Sequence, residues 1–297
     1  MTPMRILVIG QSGQLARALV DSGRNIGVQI ETIGRPALDL GAPDQARNTL
    51  ESRLTGTNRP ELVINTAAFT AVDAAEGKKA AAFQLNRDAV CLLAEVCAAA
   101  DCPLIHVSTD YVFSGQPGRP WQVDDQPAPV SAYGASKLAG ETALAQTWSK
   151  HIILRTAWLF SEHAPNFMTK IIERARTQSI IRVVNDQIGS PTPARDLATT
   201  LLDMARQVRD GTTPWGLYHY AGDTAMSWAD FAEAIIREAG LTDCRIERIA
   251  SSDFPAAAER PSWSVLDSHR TTEVFGCAAA DFKVGLSRAV HHYMRLT

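Results

Sequence analysis

The sequence predicts an α/β chain built on a doubly wound parallel sheet, with a smaller, mostly C-terminal lobe. Three observations predict it. Short apolar runs alternate with helical patterns through the first half, the mark of successive βαβ units. A glycine-bearing turn, Gly10-Gln-Ser-Gly13-Gln-Leu-Ala16, follows the first apolar run. Past about residue 160 the alternation gives way to helices separated by irregular stretches carrying Pro, Trp and Gly.

Residues 5–9 read as a buried strand and 14–22 as the helix after it. A second strand is predicted over 28–33 and a third over 61–65, followed by a long Ala-rich helix through about Ala100. Residues 104–108 and 152–155 are further strands, and 167–176, 194–207 and 228–238 are helices of the second region. The predicted division is a dinucleotide-binding domain over 1–160 and a substrate lobe over 161–297, the latter discontinuous and partly returning to the first.

Length and composition bound the function classes. A chain of 297 residues buries a sizeable core without disulfides or metals. A net charge of -3 gives no basic surface for nucleic acid and none for an acidic membrane. The five cysteines form no CxxC pair, so no metal site is expected, and free thiols of a cytoplasmic protein are the reading. Met1-Thr-Pro-Met-Arg leads directly into the first apolar run, so no secretory leader is expected, and no apolar run has the length expected of a membrane span.

The turn after the first strand has the layout of a phosphate loop, which makes the sheet Rossmann-type. Gly10 permits the tight turn, Gly13 lets the backbone approach a pyrophosphate, and the helix N-terminus supplies N–H donors. Ala16 stands where the fuller pattern has a third glycine.

Tyr133-Gly-Ala-Ser-Lys137 is the most informative stretch. Residues four apart share a helix face, so Tyr133 and Lys137 project side by side. An ammonium beside a phenol favours the phenolate and lowers a pKa that is otherwise about 10. Such a tyrosine exchanges a proton with a carbonyl or alcohol oxygen, and the lysine also reaches a nicotinamide ribose. Thr109, at the end of the 104–108 strand, is the hydroxyl expected to orient the substrate oxygen. Ser108 is expected on the opposite side, because strand side chains alternate.

Together these residues resemble the extended short-chain dehydrogenase/reductase superfamily. Longer stretches narrow the resemblance to the dTDP-4-dehydrorhamnose reductases. Asn65-Thr-Ala-Ala-Phe-Thr-Ala-Val-Asp73-Ala-Ala-Glu76 resembles the segment after that family's fourth strand. Ser108-Thr-Asp-Tyr-Val-Phe113, Asn185-Asp-Gln-Ile-Gly-Ser-Pro-Thr192, Gly216-Leu-Tyr-His-Tyr-Ala-Gly222 and Arg260-Pro261 continue it nearly to the C-terminus.

The resemblance implies roles at matching positions. Gly10, Gln14 and Leu15 lie along the cofactor pyrophosphate and ribose, Asp39 and Leu40 meet the adenine, and Ala67, Ala68 and Phe69 line the cofactor cleft. Thr109, Asp110 and Trp158 contact the sugar nucleotide, Tyr133 delivers the proton and Lys137 binds the ribose. Plainer readings stand beside these: Asp39 equally suits a helix cap, Trp158 the core, and Arg260 either the substrate diphosphate or a structural ion pair. Asn86 is explained as well by packing or a backbone contact.

The implied reaction is hydride transfer from a nicotinamide cofactor to the 4-keto group of a dTDP-linked 6-deoxysugar. The related dehydratases place Glu directly after the Thr-Asp pair, where this chain has Tyr111. NADPH is expected to be preferred, because Arg35 follows the second strand where a 2′-phosphate lies, with NADH still accepted. Glu31 is the competing residue there. Two alternatives stay open: a reductase giving the other C4 epimer, and a non-catalytic protein resembling the regulatory β subunit of methionine adenosyltransferase. A homodimer is compatible with either.

Overall fold

A computed structural model of the chain describes residues 3–116, 118–163 and 165–297. The first region runs β1 (Arg5–Ile9), α1 (Gln14–Asn25), β2 (Gln29–Ile33), α2 (Pro43–Arg53), β3 (Leu62–Asn65), α3 (Val72–Gly77) and α4 (Lys79–Phe83). A π-helical turn over Gln84–Asp88 leads into α5 (Ala89–Ala99), then β4 (Leu104–Thr109), α6 (Ala132–Thr147) and β5 (His151–Thr156). The second region holds β6 (Leu159–Phe160), α7 (Phe167–Ala175), β7 (Ile180–Val184), β8 (Ile188–Gly189), β9 (Thr192–Pro193) and α8 (Ala194–Arg209). It continues with β10 (Gly216–His219), β11 (Met226–Ser227), α9 (Trp228–Glu238), β12 (Arg245–Ile249), α10 (His269–Phe275) and α11 (Phe282–Leu296).

The main sheet has the order β10-β5-β4-β3-β1-β2, with every neighbouring pair parallel. The apolar runs of β1, β3 and β5 are continuous rather than alternating because helices cover both faces of the sheet. Ile6, Val8, Ile64 and Ile105 pack under α1 and α8, while Leu7, Ile9, Val63 and Leu104 pack under α2 and α5. The strand order reverses between β1 and β3, and in sheets of this kind ligands bind at such a switch point, outside the carboxyl ends of the strands.

A third core unites α7, α9, α11 and β7 around Phe160, Ile171, Ile172, Phe231 and Ile235. Small two-stranded pairings, β7 with β12, β8 with β11 and β6 with β9, frame that part of the molecule. The chain crosses between the two regions more than once, since β10 pairs with β5 at the edge of the main sheet and α8 packs under it.

Two sequence expectations are corrected. The long Ala-rich helix before Ala100 is broken at Lys78, whose φ of -126° and ψ of 42° leave the helical region, and is wound as a π turn over Gln84–Asp88. Tertiary contact accounts for that turn: a Cβ on Gly140 of α6 would lie 2.0 Å from the Asn86 carbonyl oxygen, so α6 packs directly against its backbone. The motif beginning at Asn65 follows the third strand, not the fourth. Strand and helix limits otherwise differ from expectation by at most three residues, with β1 and α9 as expected. Among the described residues no helix is long and apolar enough to cross a membrane.

Candidate active site

The glycine turn forms because Gly10 takes φ +108°, where a Cβ would lie 2.6 Å from Thr66 Oγ1. Thr66 Oγ1 in turn donates to the Ile9 carbonyl at 2.9 Å, so the ends of β1 and β3 are tied at the switch point. Gly13 caps α1, and nothing lies within 4 Å of where its Cβ would be. The α1 N-terminus therefore opens onto free space, as an anion-binding helix end requires.

That space is a cleft of about 470 Å³ bordered by Gly13, Gln14, Leu15 and Ala68 on one side and by Thr109, Asp110, Tyr133, Lys137 and Trp158 on the other. Ser131 caps α6, its hydroxyl accepting from Gly134 N–H at 3.2 Å, and so fixes the first turn that carries Tyr133. Gly134 has no room for a side chain, since a Cβ would sit 2.1 Å from the Tyr111 carbonyl oxygen. Sheet end and helix start are thus locked together. Thr109 Oγ1 donates to Asp110 Oδ1 at 3.0 Å and accepts from Tyr111 N–H at 3.2 Å.

Burial sets the electrostatics. It pushes the Tyr133 phenol up to about 12, the Thr109 hydroxyl acting against that shift and the Asp110 charge adding to it. Burial also pulls Lys137 down to about 8, opposed by Glu141. The expected lowering of the phenol by the neighbouring ammonium is not realised. Lys137 Nζ points instead to the Val107 carbonyl at 2.8 Å and to His106 Nε2 at 3.2 Å. Asp110 rises to about 7, first through burial, with the nearby Ser264 hydroxyl and the hydrogen bond from Thr109 pulling down.

Three buried polar atoms on the cleft, Ser108 Oγ, Asp110 Oδ2 and Thr156 Oγ1, have no protein partner. An unpaired buried polar atom is costly, so these three are where polar atoms of a ligand fit. Ser108 was expected on the far side of β4, yet it borders the same cleft as Thr109, because the cavity opens across the strand's end.

The other sequence-derived residues are placed as follows. Gly10, Ala67 and Phe69 lie outside the cleft lining, and both backbone polar groups of Phe69 are held by the Asn86 side chain at 2.8 and 3.1 Å. Asp39 accepts from Gly41 N–H at 2.9 Å, and Leu40 is buried in the core under α2. Arg35 is exposed, its carbonyl tied to the glycine turn by Gln11 Nε2 at 2.7 Å, while Glu31 is engaged by Arg53. Trp158 adopts φ +46° and stacks on Trp228 with ring centroids 3.5 Å apart. Arg260 donates to Asp73 through both terminal nitrogens, Nη2 at 2.7 Å and Nη1 at 3.1 Å.

Sequence reasoning missed several residues. Ser108 and Thr156 carry no periodic signal. Gly189 lay unremarked inside a matched motif, although a Cβ there would meet the Trp158 ring at 2.3 Å. Trp228 borders both this cleft and a second, larger cavity of about 890 Å³ in the C-terminal lobe. Phe167, Ile171 and Val183 form apolar parts of that cavity, and Lys170, Arg174, Arg182 and Arg260 bring cations to it. Among the described residues no cluster of metal-ligating side chains occurs.

A parallel dinucleotide fold with Thr, Tyr and Lys converging at the sheet's carboxyl edge defines an oxidoreductase of the short-chain dehydrogenase/reductase class. The family model described as RmlD substrate binding domain matches residues 4–295, and the chain belongs to that family. A curated relative from Sinorhizobium fredii, a dTDP-4-dehydrorhamnose reductase, is 36% identical over 292 residues and covers 97% of both chains. The Escherichia coli enzyme of that name is 32% identical, with 99% of each chain covered. The solved dTDP-4-dehydrorhamnose reductase of Clostridium acetobutylicum superposes with a TM-score of 0.89 at 30% identity, covering 98% of this chain and all 100% of that one. The Bacillus anthracis enzyme, solved in complex with NADP, gives a TM-score of 0.90 at 28% identity over 98% and 99% of the two chains.

Proposed function

We propose that this chain reduces the 4-keto group of dTDP-4-dehydro-L-rhamnose to give dTDP-L-rhamnose in nucleotide-sugar biosynthesis. The observation that carries the reading is the convergence of Thr109, Tyr133 and Lys137 on one cleft that also opens onto the α1 N-terminus. The cofactor is a nicotinamide dinucleotide, NADPH in our reading with NADH also accepted, which when bound supplies the hydride.

The protein's own part is position and electrostatics. Gly13 and the first turn of α1 hold the pyrophosphate, with Gln14 and Leu15 beside it. Arg35 meets a 2′-phosphate at the end of β2. Tyr133 gives its proton to the oxygen that gains charge as the ketone is reduced. A phenol held up to about 12 is protonated at neutral pH, which is the form a reduction needs. Thr109 hydrogen-bonds the same oxygen, and Asp110 and Trp158 contact the sugar. The larger cavity takes the nucleoside diphosphate, its cations serving the phosphates. Residues 1–160 thus serve the cofactor and the reacting end of the sugar, and 161–297 mainly the rest of the substrate.

The test is NADPH consumption with dTDP-4-dehydro-L-rhamnose, followed by identification of the product sugar. Absence of turnover on that ketone, with cofactor binding intact, overturns the reading. The ratio of kcat/KM for NADPH and NADH in wild type and Arg35→Ala tests the cofactor assignment. An unchanged ratio removes Arg35 from the site.

A further inference from the structure

Behind Lys137 lies a buried polar chain that neither the glycine turn nor the Tyr133 helix accounts for. Asn65 and His106 are register partners on β3 and β4 and are 1% and 0% exposed. The Ala67 N–H donates to Asn65 Oδ1 at 3.1 Å, which fixes the direction of the amide. Asn65 Nδ2 then faces His106 Nδ1 at 3.0 Å. An amide nitrogen only donates, so Nδ1 must accept and the ring proton sits on Nε2. Burial, then the charge of Lys137, keeps the ring neutral by holding it well below the usual histidine range.

The consequence falls on Lys137. Its Nζ lies 3.2 Å from His106 Nε2 and donates to the Val107 carbonyl at 2.8 Å. When Lys137 is an ammonium, donor faces donor; when it is an amine, its lone pair accepts the Nε2 proton. Turning the ring tautomer over requires Asn65 to present its oxygen to Nδ1, which abandons the Ala67 N–H. We infer that Asn65 and His106 are positioning residues of this reductase, setting through one fixed imidazole tautomer the protonation state in which Lys137 meets Tyr133 and the cofactor ribose.

Other charged and titratable groups face the same lysine. Tyr133 and Glu141 approach along α6, Glu141 being held by Arg155 of β5 at 2.6 Å. His151 of β5 acts on the His106 ring, and Asp110 and Tyr111 lie beyond the end of β4. Among the described residues, only His106 reaches Lys137 through a directional hydrogen bond whose sense a distant residue dictates.

The inference rests on Tyr133 and Lys137 being the proton-transfer pair, and its test separates the two ideas. Nitrogen-15 NMR of histidine in the unliganded full chain reads the tautomer without any turnover. We expect Nε2–H in wild type and Nδ1–H in Asn65→Asp, whose carboxylate accepts from both Ala67 and the ring. Lys137 loses its proton before Tyr133, at about 8 against about 12, so it sets the alkaline limb of kcat/KM. Asn65→Asp is expected to raise that limb by about one pH unit, since an opposing charge now acts through the ring. The rise should vanish in Asn65→Asp combined with His106→Phe. Nδ1–H in wild type, an unmoved limb, or a rise that survives in the double variant overturns the inference. A wild type that binds cofactor but leaves the ketone untouched overturns the functional reading instead, with the tautomer still measured.

Discussion

The half-buried Tyr133 phenol lies beside Thr109 and carries its proton throughout the neutral range, so removing its hydroxyl deletes one proton donor and little else. Tyr133→Phe is expected to lower kcat by about 10²–10⁴-fold with cofactor affinity kept, as general acid contributions do; near-normal turnover on the keto sugar would refute the role. Asp110 is the second residue whose state is decided by burial. Its pKa rises to about 7 in the folded chain from an ordinary value of 3.8. The native state therefore binds the proton more tightly than the unfolded chain does. The stability contributed is complete below the unfolded pKa and is lost as pH rises through about 7. Asp110→Asn should consequently gain stability over wild type between pH 5 and pH 8, measured by urea unfolding at both. A difference that shrinks with rising pH contradicts the assignment.

Helix α6 delivers both Tyr133 and Lys137, and what seats it is a buried ion pair one turn further on. Glu141 accepts from Arg155 Nη2 at 2.6 Å and from its Nε at 3.0 Å, with both side chains at or below 5% exposure. Arg155 also stacks over Phe113 at 5.0 Å and lies 3.4 Å from His219 Nε2, which joins β5 to β10. Removing one partner of such a pair leaves an uncompensated buried charge. Glu141→Ala is expected to cost about 3–5 kcal/mol of stability, read from denaturant midpoints. A loss below about 1 kcal/mol, the range of exposed pairs, means water reaches Arg155.

Across the whole molecule, Asp73 and Arg260 tie together segments far apart in sequence, where the start of α3 meets the stretch between β12 and α10. Hydrogen bonding from Arg260 holds the Asp73 carboxyl below its ordinary range, and the Ala258 N–H adds a bond at 3.0 Å. Asp73 is half-exposed, so the pair contributes only about 0–1 kcal/mol to stability. Arg260 also borders the larger cavity, so in the function proposed above the pair orients the guanidinium that serves the substrate. Asp73→Ala should raise KM for the sugar nucleotide several-fold while leaving kcat and the melting temperature nearly unchanged. A lower melting temperature at constant KM would make the pair structural only.

Local rules were enough for the parallel α/β architecture, the glycine turn at the end of β1 and the shared face of Tyr133 and Lys137. Each of those follows from strand and helix periods and from the backbone freedom of glycine, which act over a few residues. The polar layer behind them was not legible. Asn65 and His106 are 41 residues apart and meet only because β3 and β4 pair in register. Ser108, Thr156, Gly189 and Trp228 likewise acquire their places from strand ends and helix starts that the chain brings together at long range. The same reason governs the Tyr133 phenol: sequence spacing sets an ammonium one turn away, but burial and the direction of Lys137 Nζ, both properties of the packed sheet, decide the protonation state.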